Sequence, residues 1–230
     1  MKWIKSLRHL RRHIKKGKRL MKHKYQLGII GCGDFVQTWQ IPILKESEFI
    51  AVKSLYDLNP AKAAQAGAIL NGQVVNSADA IIKDPEIDVV CIFVPPWTRK
   101  GLILQSAAEG KPILTTKPLG ATISDCHEMA KAVTQSNLPC GVIYGRSGNP
   151  TIETLKEIFT SNEIGQLALY KQDWIHHYPE WNQWALDPEK NGGPFMDAMI
   201  HNLNTARYLM GRSVTKSSFI SENLAHPNLT

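Results

Sequence analysis

The chain has 230 residues, 43% of them hydrophobic, which is an ordinary composition for a globular protein with a sizeable core. Its formal charge of +7 does not indicate a nucleic-acid-binding body, because residues 1–24 carry 11 of the 27 Lys and Arg residues and no acidic residue. Residues 25–230 hold 16 basic and 20 acidic residues, a net charge of −4. The longest apolar run, Val89–Val94, is far shorter than the roughly 18 residues of a membrane-spanning helix.

Residues 1–24 form a basic arm. Its apolar residues recur at helical spacing among Lys and Arg, which favours a basic amphipathic helix as far as Gly17. No apolar stretch follows Arg11 and Arg12, and this argues against twin-arginine export. Two interpretations stay open. The arm docks on an anionic membrane surface, RNA or an acidic partner, or it is a solvated extension or sequence upstream of the true start.

The four cysteines have no Cys-x-x-Cys spacing, and three lie in segments that read as apolar or buried. We therefore predict reduced thiols and a cytoplasmic protein. His176, His177 and Asp173 could suggest a metal, but adjacent histidines point apart on a strand and no further ligand completes the set. We expect no metal site.

From Tyr25 onwards, short apolar runs alternate with helical stretches, as in proteins built on a parallel sheet. The predicted strands are Tyr25–Ile30, Phe49–Tyr56, Val89–Val94 and Pro112–Thr115, with weaker ones at Gln73–Asn76 and Gly141–Tyr144. The predicted helices are Phe35–Lys45, kinked or restarted at Pro42, then Ala61–Leu70, Ser77–Ile82, Lys100–Glu109 and Ile123–Gln135. This order predicts an α/β fold with a doubly wound sheet over residues 25–146.

The alternation stops in residues 147–230. The predicted elements there are a helix at Thr151–Thr160, a strand at Gln166–Trp174, an aromatic-rich loop at His176–Asn191, a helix at Phe195–Met210 and a strand at Val214–Ser221. Two helices and two strands are too few for an independent sheet domain. We therefore predict a partial second α/β domain in a chain that is incomplete at its C-terminus.

A glycine turn follows the first predicted strand. Gly31 allows the tight turn, and Gly33 lets a pyrophosphate approach the helix N-terminus at Asp34 and Phe35. Val36 stands where the third glycine of the dinucleotide fingerprint is expected. Taken alone, the turn is equally consistent with a structural strand–turn–helix connection.

Asp57 lies 24 residues after Gly33, at the end of the second predicted strand. A carboxylate at this point can accept hydrogen bonds from an adenosine ribose and would repel a 2′-phosphate, so NAD is favoured over NADP. The alternative is a turn or helix N-cap residue in Asp57-Leu-Asn-Pro60.

Four segments resemble, in order and spacing, the glucose–fructose oxidoreductase/inositol dehydrogenase (Gfo/Idh/MocA) family. They are Gly28–Gln37, Val94–Pro96, Gly110–Leu119 and Gly192–His201, within a resemblance that runs from about Tyr25 to Gly211. It implies a Rossmann domain followed by an α/β domain with a large mixed sheet. It also implies binding of NAD(H) or NADP(H) and oxidoreduction of a hydroxyl-bearing carbon in sugars, cyclitols and their derivatives.

The resemblance also implies site residues. Lys117, Asp197 and His201 match the family's Lys, Asp and His, and Pro95 and Lys117 are expected to contact the cofactor. Three positions depart from the pattern: Thr116 stands where Glu is usual, Arg99 where His is frequent, and Asn204 where Asp is frequent.

The chemistry of these residue types fits such a reaction. Asp197 and His201 are four residues apart, so an α-helix would place them on one face, where Asp197 can orient or contact substrate. An imidazole can take a proton from a secondary alcohol while Lys117 polarises or protonates the same oxygen. The alternatives are a core histidine and a solvated surface lysine.

Weaker substrate candidates are Arg146, Trp181 and Trp184, although aromatic residues also suit a domain or subunit interface. A full-length protein is expected to form a homo-oligomer and to take a small carbohydrate-like substrate. The rival hypothesis is a catalytically silent, nucleotide-binding regulatory protein of the same fold.

Overall fold

The computed structural model describes residues 24–146, 148–174, 184, 187–191, 193 and 195–220. The predictions for the basic arm, apart from Lys24, and for Trp181 lie outside these residues. The chain divides into two compact units, residues 1–90 and 91–230. The domain boundaries expected at residues 24 and 146 stay predictions.

Six strands form one sheet in the order β3-β2-β1-β4-β5-β6. They are β1 (Tyr25–Ile30), β2 (Ile50–Tyr56), β3 (Gln73–Val74), β4 (Val89–Ile92), β5 (Ile113–Thr116) and β6 (Cys140–Ile143). The pairs β1–β2, β2–β3 and β5–β6 are parallel. This strand order confirms the predicted Rossmann-like doubly wound α/β sheet.

The helices fall close to their predicted positions, except for the short helix at Pro188–Asn191, which lies in the predicted aromatic-rich loop. They are α1 (Ile41–Lys45), α2 (Pro60–Leu70), α3 (Ala78–Ile82), α4 (Arg99–Ala108), α5 (Ile123–Ser136), α6 (Pro150–Ser161), α7 (Pro188–Asn191) and α8 (Ile200–Met210). Side chains cap the N-termini of α2, α3, α5 and α6, and they belong to Asn59, Ser77, Thr122 and Asn149. Each accepts a hydrogen bond from a first-turn N–H group that has no partner within its helix.

The helix after the glycine turn restarts just before Pro42, as predicted. Val36–Gln40 is a π-helix, and the N–H of Ile41 donates to the carbonyl of Val36. Pro42 then stands in the first turn of α1, where the N–H it lacks would have no partner in the helix.

Two predicted strands are wrong. Residues 165–174 and the described part of Val214–Ser221 contain no strand. Alternating apolar residues form a strand only where another strand completes the hydrogen bonds, and here Leu169, Val214 and Ile220 are 80%, 55% and 92% exposed. Among the described residues after 146, helices are the regular elements and no strand is present.

The first unit has a tightly packed core around β1. Gly28 lies in this strand next to a register shift between Leu27 and Gly28. A Cβ atom at Gly28 would lie 2.3 Å from Cγ2 of Ile81 and 2.7 Å from Cδ1 of Ile87. Ile81 is fully buried and Ile87 nearly so, so neither side chain has free space to move into.

We expect Gly28→Ala to lower the free energy of unfolding by about 1–3 kcal/mol, because the added methyl overpacks this core. Gly33→Ala is the matched control, since a Cβ there meets no atom within 4 Å. Urea unfolding followed by circular dichroism measures both. A Gly28→Ala protein as stable as the control would contradict the packing described here.

Candidate active site

The glycine turn joins β1 to the helix that begins at residue 34. Gly31 has a φ of 91°, which favours glycine, and its N–H donates to the carbonyl of Tyr56 at 2.8 Å. The carbonyl of Gly33 accepts from the N–H groups of Val36 and Gln37 at 2.9 and 3.0 Å. The first bond joins the turn to the end of β2, and the other two join it to the helix that follows.

The space beside Gly33 is open. A Cβ at Gly33 would meet nothing within 4 Å, so the residue leaves an open approach to the backbone. Asp34 and Phe35 form the first turn of the helix, and the N-terminus of a helix favours a negatively charged group. The side chain of Asp34 is 79% exposed and lies 4.0 Å from Nζ of Lys62. Val36, at the third glycine position, is fully buried.

The carboxylate of Asp57 is hydrogen-bonded to the backbone of this turn. Its Oδ2 accepts from the N–H of Cys32 at 2.7 Å, and its Oδ1 accepts from the N–H of Asn59 at 2.7 Å. The N-cap of α2 is Asn59, so of the structural alternatives for Asp57 the turn fits and the N-cap does not. The carboxylate is thus fixed beside the backbone of the glycine turn, where a ribose hydrogen bond is compatible with its remaining lone pairs.

In the second unit, predicted site residues follow the ends of three strands. Pro95 follows β4, Lys117 follows β5, and Tyr144–Arg146 follow β6. Polar residues at the carboxyl ends of parallel strands are the usual ligand-binding positions of such sheets.

Lys117 and Asp197 form an ion pair with a distance of 2.8 Å between Nζ and Oδ1. Nζ also donates to the main-chain carbonyl of Asp197. Asp197 is 5% exposed and belongs to the π-helix Phe195–Met199, which precedes α8. The predicted helix over Phe195–Met210 is therefore present, but the α-helical spacing assumed between Asp197 and His201 is not.

His201 lies in the same cluster and is held as a neutral ring. Burial lowers its pKa to about 4, the charges of Lys117 and Arg146 act in the same direction, and Asp197 opposes them. The N–H of Gly145 donates to Nδ1 at 3.3 Å, and the ring of Tyr144 meets the imidazole edge to face at 6.2 Å. Because Nδ1 accepts, the neutral ring carries its proton on Nε2.

Two of the three predicted substrate residues, Arg146 and Trp184, lie among the described residues. The guanidinium of Arg146 lies 5.5 Å from the centroid of the Trp174 ring, a cation–π arrangement. Trp184 packs edge to face on Trp97, with 5.3 Å between ring centroids. Trp181 lies outside the described residues.

Sequence reasoning gave no role to Tyr144 and Gly145, and it noted Arg99 only as a departure from the family pattern that bears on substrate choice. The Arg99 guanidinium is buried and donates to Oγ1 of Thr116 at 3.0 Å, so two of the departures from the family pattern contact each other. The signal for Arg99 in the sequence was its departure from the family pattern.

Within the part of the chain that the structure covers, no group of three His, Cys, Asp or Glu residues could hold a metal ion. The same residues include no helix with the length and apolarity needed to cross a membrane.

Comparison with known proteins extends these observations. The chain is 28% identical over 157 residues to scyllo-inositol 2-dehydrogenase (NAD(+)) of Bacillus subtilis, covering 64% of this chain and 42% of that protein. It is 23% identical over 198 residues to 1,5-anhydro-D-fructose reductase of Ensifer adhaerens, covering 85% of this chain and 60% of the relative. The solved structure of levoglucosan dehydrogenase with NADH and L-sorbose is 25% identical, with a TM-score of 0.68 over 82% of this chain and 53% of that one.

The chain spans about half the length of the curated relatives that it matches. Residues 25–144 match the oxidoreductase family with an NAD-binding Rossmann fold, and residues 152–228 match the C-terminal domain of the same family. The first match alone covers just over half of the chain, and the two matches occur in the order expected for one protein. The chain therefore belongs to the Gfo/Idh/MocA oxidoreductase family.

Proposed function

We propose that this protein is an NAD-dependent oxidoreductase that transfers a hydride between nicotinamide and a hydroxyl-bearing carbon of a sugar, cyclitol or sugar derivative. The observation that carries the proposal is the cluster of Lys117, Asp197 and His201, in which an amine is held by a buried carboxylate near a neutral imidazole. Relatives named for inositol and anhydrofructose support this substrate class, as does the levoglucosan dehydrogenase complex with L-sorbose.

Lys117 would move the proton. When bound, nicotinamide supplies or accepts the hydride at the substrate carbon. Nζ of Lys117 gives a proton to the substrate oxygen during carbonyl reduction and takes one from the hydroxyl during oxidation. Asp197 is buried and accepts two hydrogen bonds from Nζ, one at its main-chain carbonyl and one at Oδ1, so it is suited to orient the amine.

His201 would take part as a hydrogen-bond donor. The sequence leads us to expect an imidazole that accepts the substrate proton, but a pKa of about 4 leaves few rings able to give up or hold a second proton at neutral pH. Its Nε2–H can instead donate to the substrate oxygen and stabilise the negative charge that develops there. We therefore propose that His201 donates a hydrogen bond in place of the expected proton transfer.

Arg146 with Trp174, together with Trp184 and Trp181, would contact the substrate. An aromatic face and a charged fork suit the apolar faces and hydroxyl groups of a carbohydrate ring. We further propose a cytoplasmic location and assembly of the full-length product into a homo-oligomer. The basic arm would bind an anionic membrane surface or RNA.

We expect NADH to bind more tightly than NADPH, because the Asp57 carboxylate would repel a 2′-phosphate. Asp57→Asn should narrow the preference by about tenfold, the scale of one charge interaction of ~1.4 kcal/mol. Titration of nicotinamide fluorescence measures both affinities. Equal or tighter NADPH binding by the wild type would remove Asp57 from this role.

We expect Lys117→Ala to lower kcat by about 10²–10⁴, the loss typical of a positioned proton-transfer group. His201→Ala should cost about 10²–10³, whereas His201→Gln should retain activity within about tenfold because its amide N–H can replace Nε2–H. Steady-state kinetics on sugars and cyclitols would measure these values.

The Gln and Ala variants separate the two roles of His201. If His201 were the base, Gln would be as damaging as Ala, and the pH profile would lose a limb in both variants. If the wild type binds NADH but turns over no member of the panel, the silent regulatory alternative is favoured.

We expect deletion of residues 1–24 to leave NADH affinity within a few-fold of the wild type and to abolish binding to anionic vesicles or RNA. Any such binding should weaken with salt, because it rests on Lys and Arg. Vesicle sedimentation and RNA gel shifts measure it. Loss of NADH binding on deletion would show that the arm belongs to the fold.

A further inference from the structure

Arg99 is a buried cation at the start of α4. It is 2% exposed, and its guanidinium donates mainly to the backbone. Nη1 donates to the carbonyls of Thr116 at 2.6 Å, Leu119 at 3.3 Å and Pro118. Nη2 donates to the carbonyl of Val94 at 2.5 Å and to Oγ1 of Thr116 at 3.0 Å.

These acceptors lie on both sides of Lys117. Thr116 is the last residue of β5, and Pro118 and Leu119 follow Lys117 in the connection to α5. The N–H of Lys117 itself donates to the carbonyl of Ile143 at 3.4 Å, which is long for such a bond. The guanidinium therefore holds the segment 116–119 from both ends and ties it to the residues after β4.

The chemistry of this contact is unusual for a structural arginine. No carboxylate pairs with Arg99 among the residues that the structure describes. Burial lowers its pKa to about 10, so the group stays charged at neutral pH. A buried charge costs more than an apolar side chain of similar volume, so stability alone does not account for it. A rigid planar fork is, however, well suited to fixing several carbonyl oxygens at once.

We propose that Arg99 is a positioning residue that fixes the segment 116–119 and thereby holds Nζ of Lys117 against Asp197, in place for proton transfer. This role rests on the proposed function of Lys117. The Thr116 side chain supplies one of the acceptors of the fork.

The test uses Arg99→Ala with and without added guanidinium ion, which can enter the space left by the side chain. The first readout is the rate at which an acylating reagent modifies Lys117, followed by peptide mass spectrometry. Lys53 is the internal reference, because it pairs with Asp84 and Glu86 in the other unit. The second readout is kcat together with KM for NADH.

We expect Arg99→Ala to raise the acylation of Lys117 several-fold relative to Lys53. We also expect kcat to fall by about 10²-fold with KM for NADH within a few-fold, the effect of misplacing a group by about 1 Å. Millimolar guanidinium chloride should reverse both effects, and potassium chloride at equal ionic strength should not. Guanidinium chloride should not restore the kcat of the Lys117→Ala variant.

Thr116→Val is the matched control, because it removes one acceptor and leaves the carbonyls in place, so its effects should be much smaller. Unchanged acylation of Lys117 in a folded Arg99→Ala protein would overturn the proposal, as would a guanidinium effect equal to that of potassium. If Arg99→Ala does not fold, Arg99→Lys serves in its place. Lysine keeps the charge but not the fork, so Lys117 acylation should still rise, and an unchanged rate would overturn the proposal. A wild type without turnover would contradict the function of Lys117, and acylation would still decide whether Arg99 holds it.

Discussion

The fold positions the candidate site residues through one constraint: parallel neighbouring strands end at the same edge of a sheet. Within the second unit, β5 delivers Lys117 and β6 delivers Tyr144, Gly145 and Arg146. Asp197 and His201 come from far along the chain and complete the cluster through contacts with these strand ends. The paired register of β5 and β6 fixes which residues meet, because Thr116 lies opposite Ile143.

The cluster meets the cost of burying charge in three different ways. Lys117 pairs with a carboxylate, His201 gives up its charge, and Arg99 keeps its charge by binding carbonyl oxygens. These solutions are linked, because the charges of Lys117 and Arg146 help to keep the His201 ring neutral. Because the His201 ring stays neutral near Lys117 and Arg146, it can donate a hydrogen bond without competing with Lys117 for the proton of the substrate hydroxyl.

The C-terminal part shows why pattern alone overstated the strands. Alternation in Gln166–Trp174 and Val214–Ser221 satisfies the period of a strand, yet the described residues there form no strand and none of them is buried. A strand also needs a neighbour for its N–H and carbonyl groups, and the local sequence does not supply one. Helices α6 and α8 formed as predicted, because helical hydrogen bonds are made within the segment itself.

The sequence by itself determined the Rossmann sheet and the glycine turn, because periodicity and glycine placement are local properties. Its resemblance to the family singled out Lys117, Asp197 and His201 as candidate site residues. Only the tertiary structure decided that Asp57 binds the backbone of Cys32, that His201 is neutral with its proton on Nε2, and that Arg99 holds the residues around Lys117. Hydrogen-bond partners and burial set these properties, and both depend on residues distant in sequence that meet only when the chain folds.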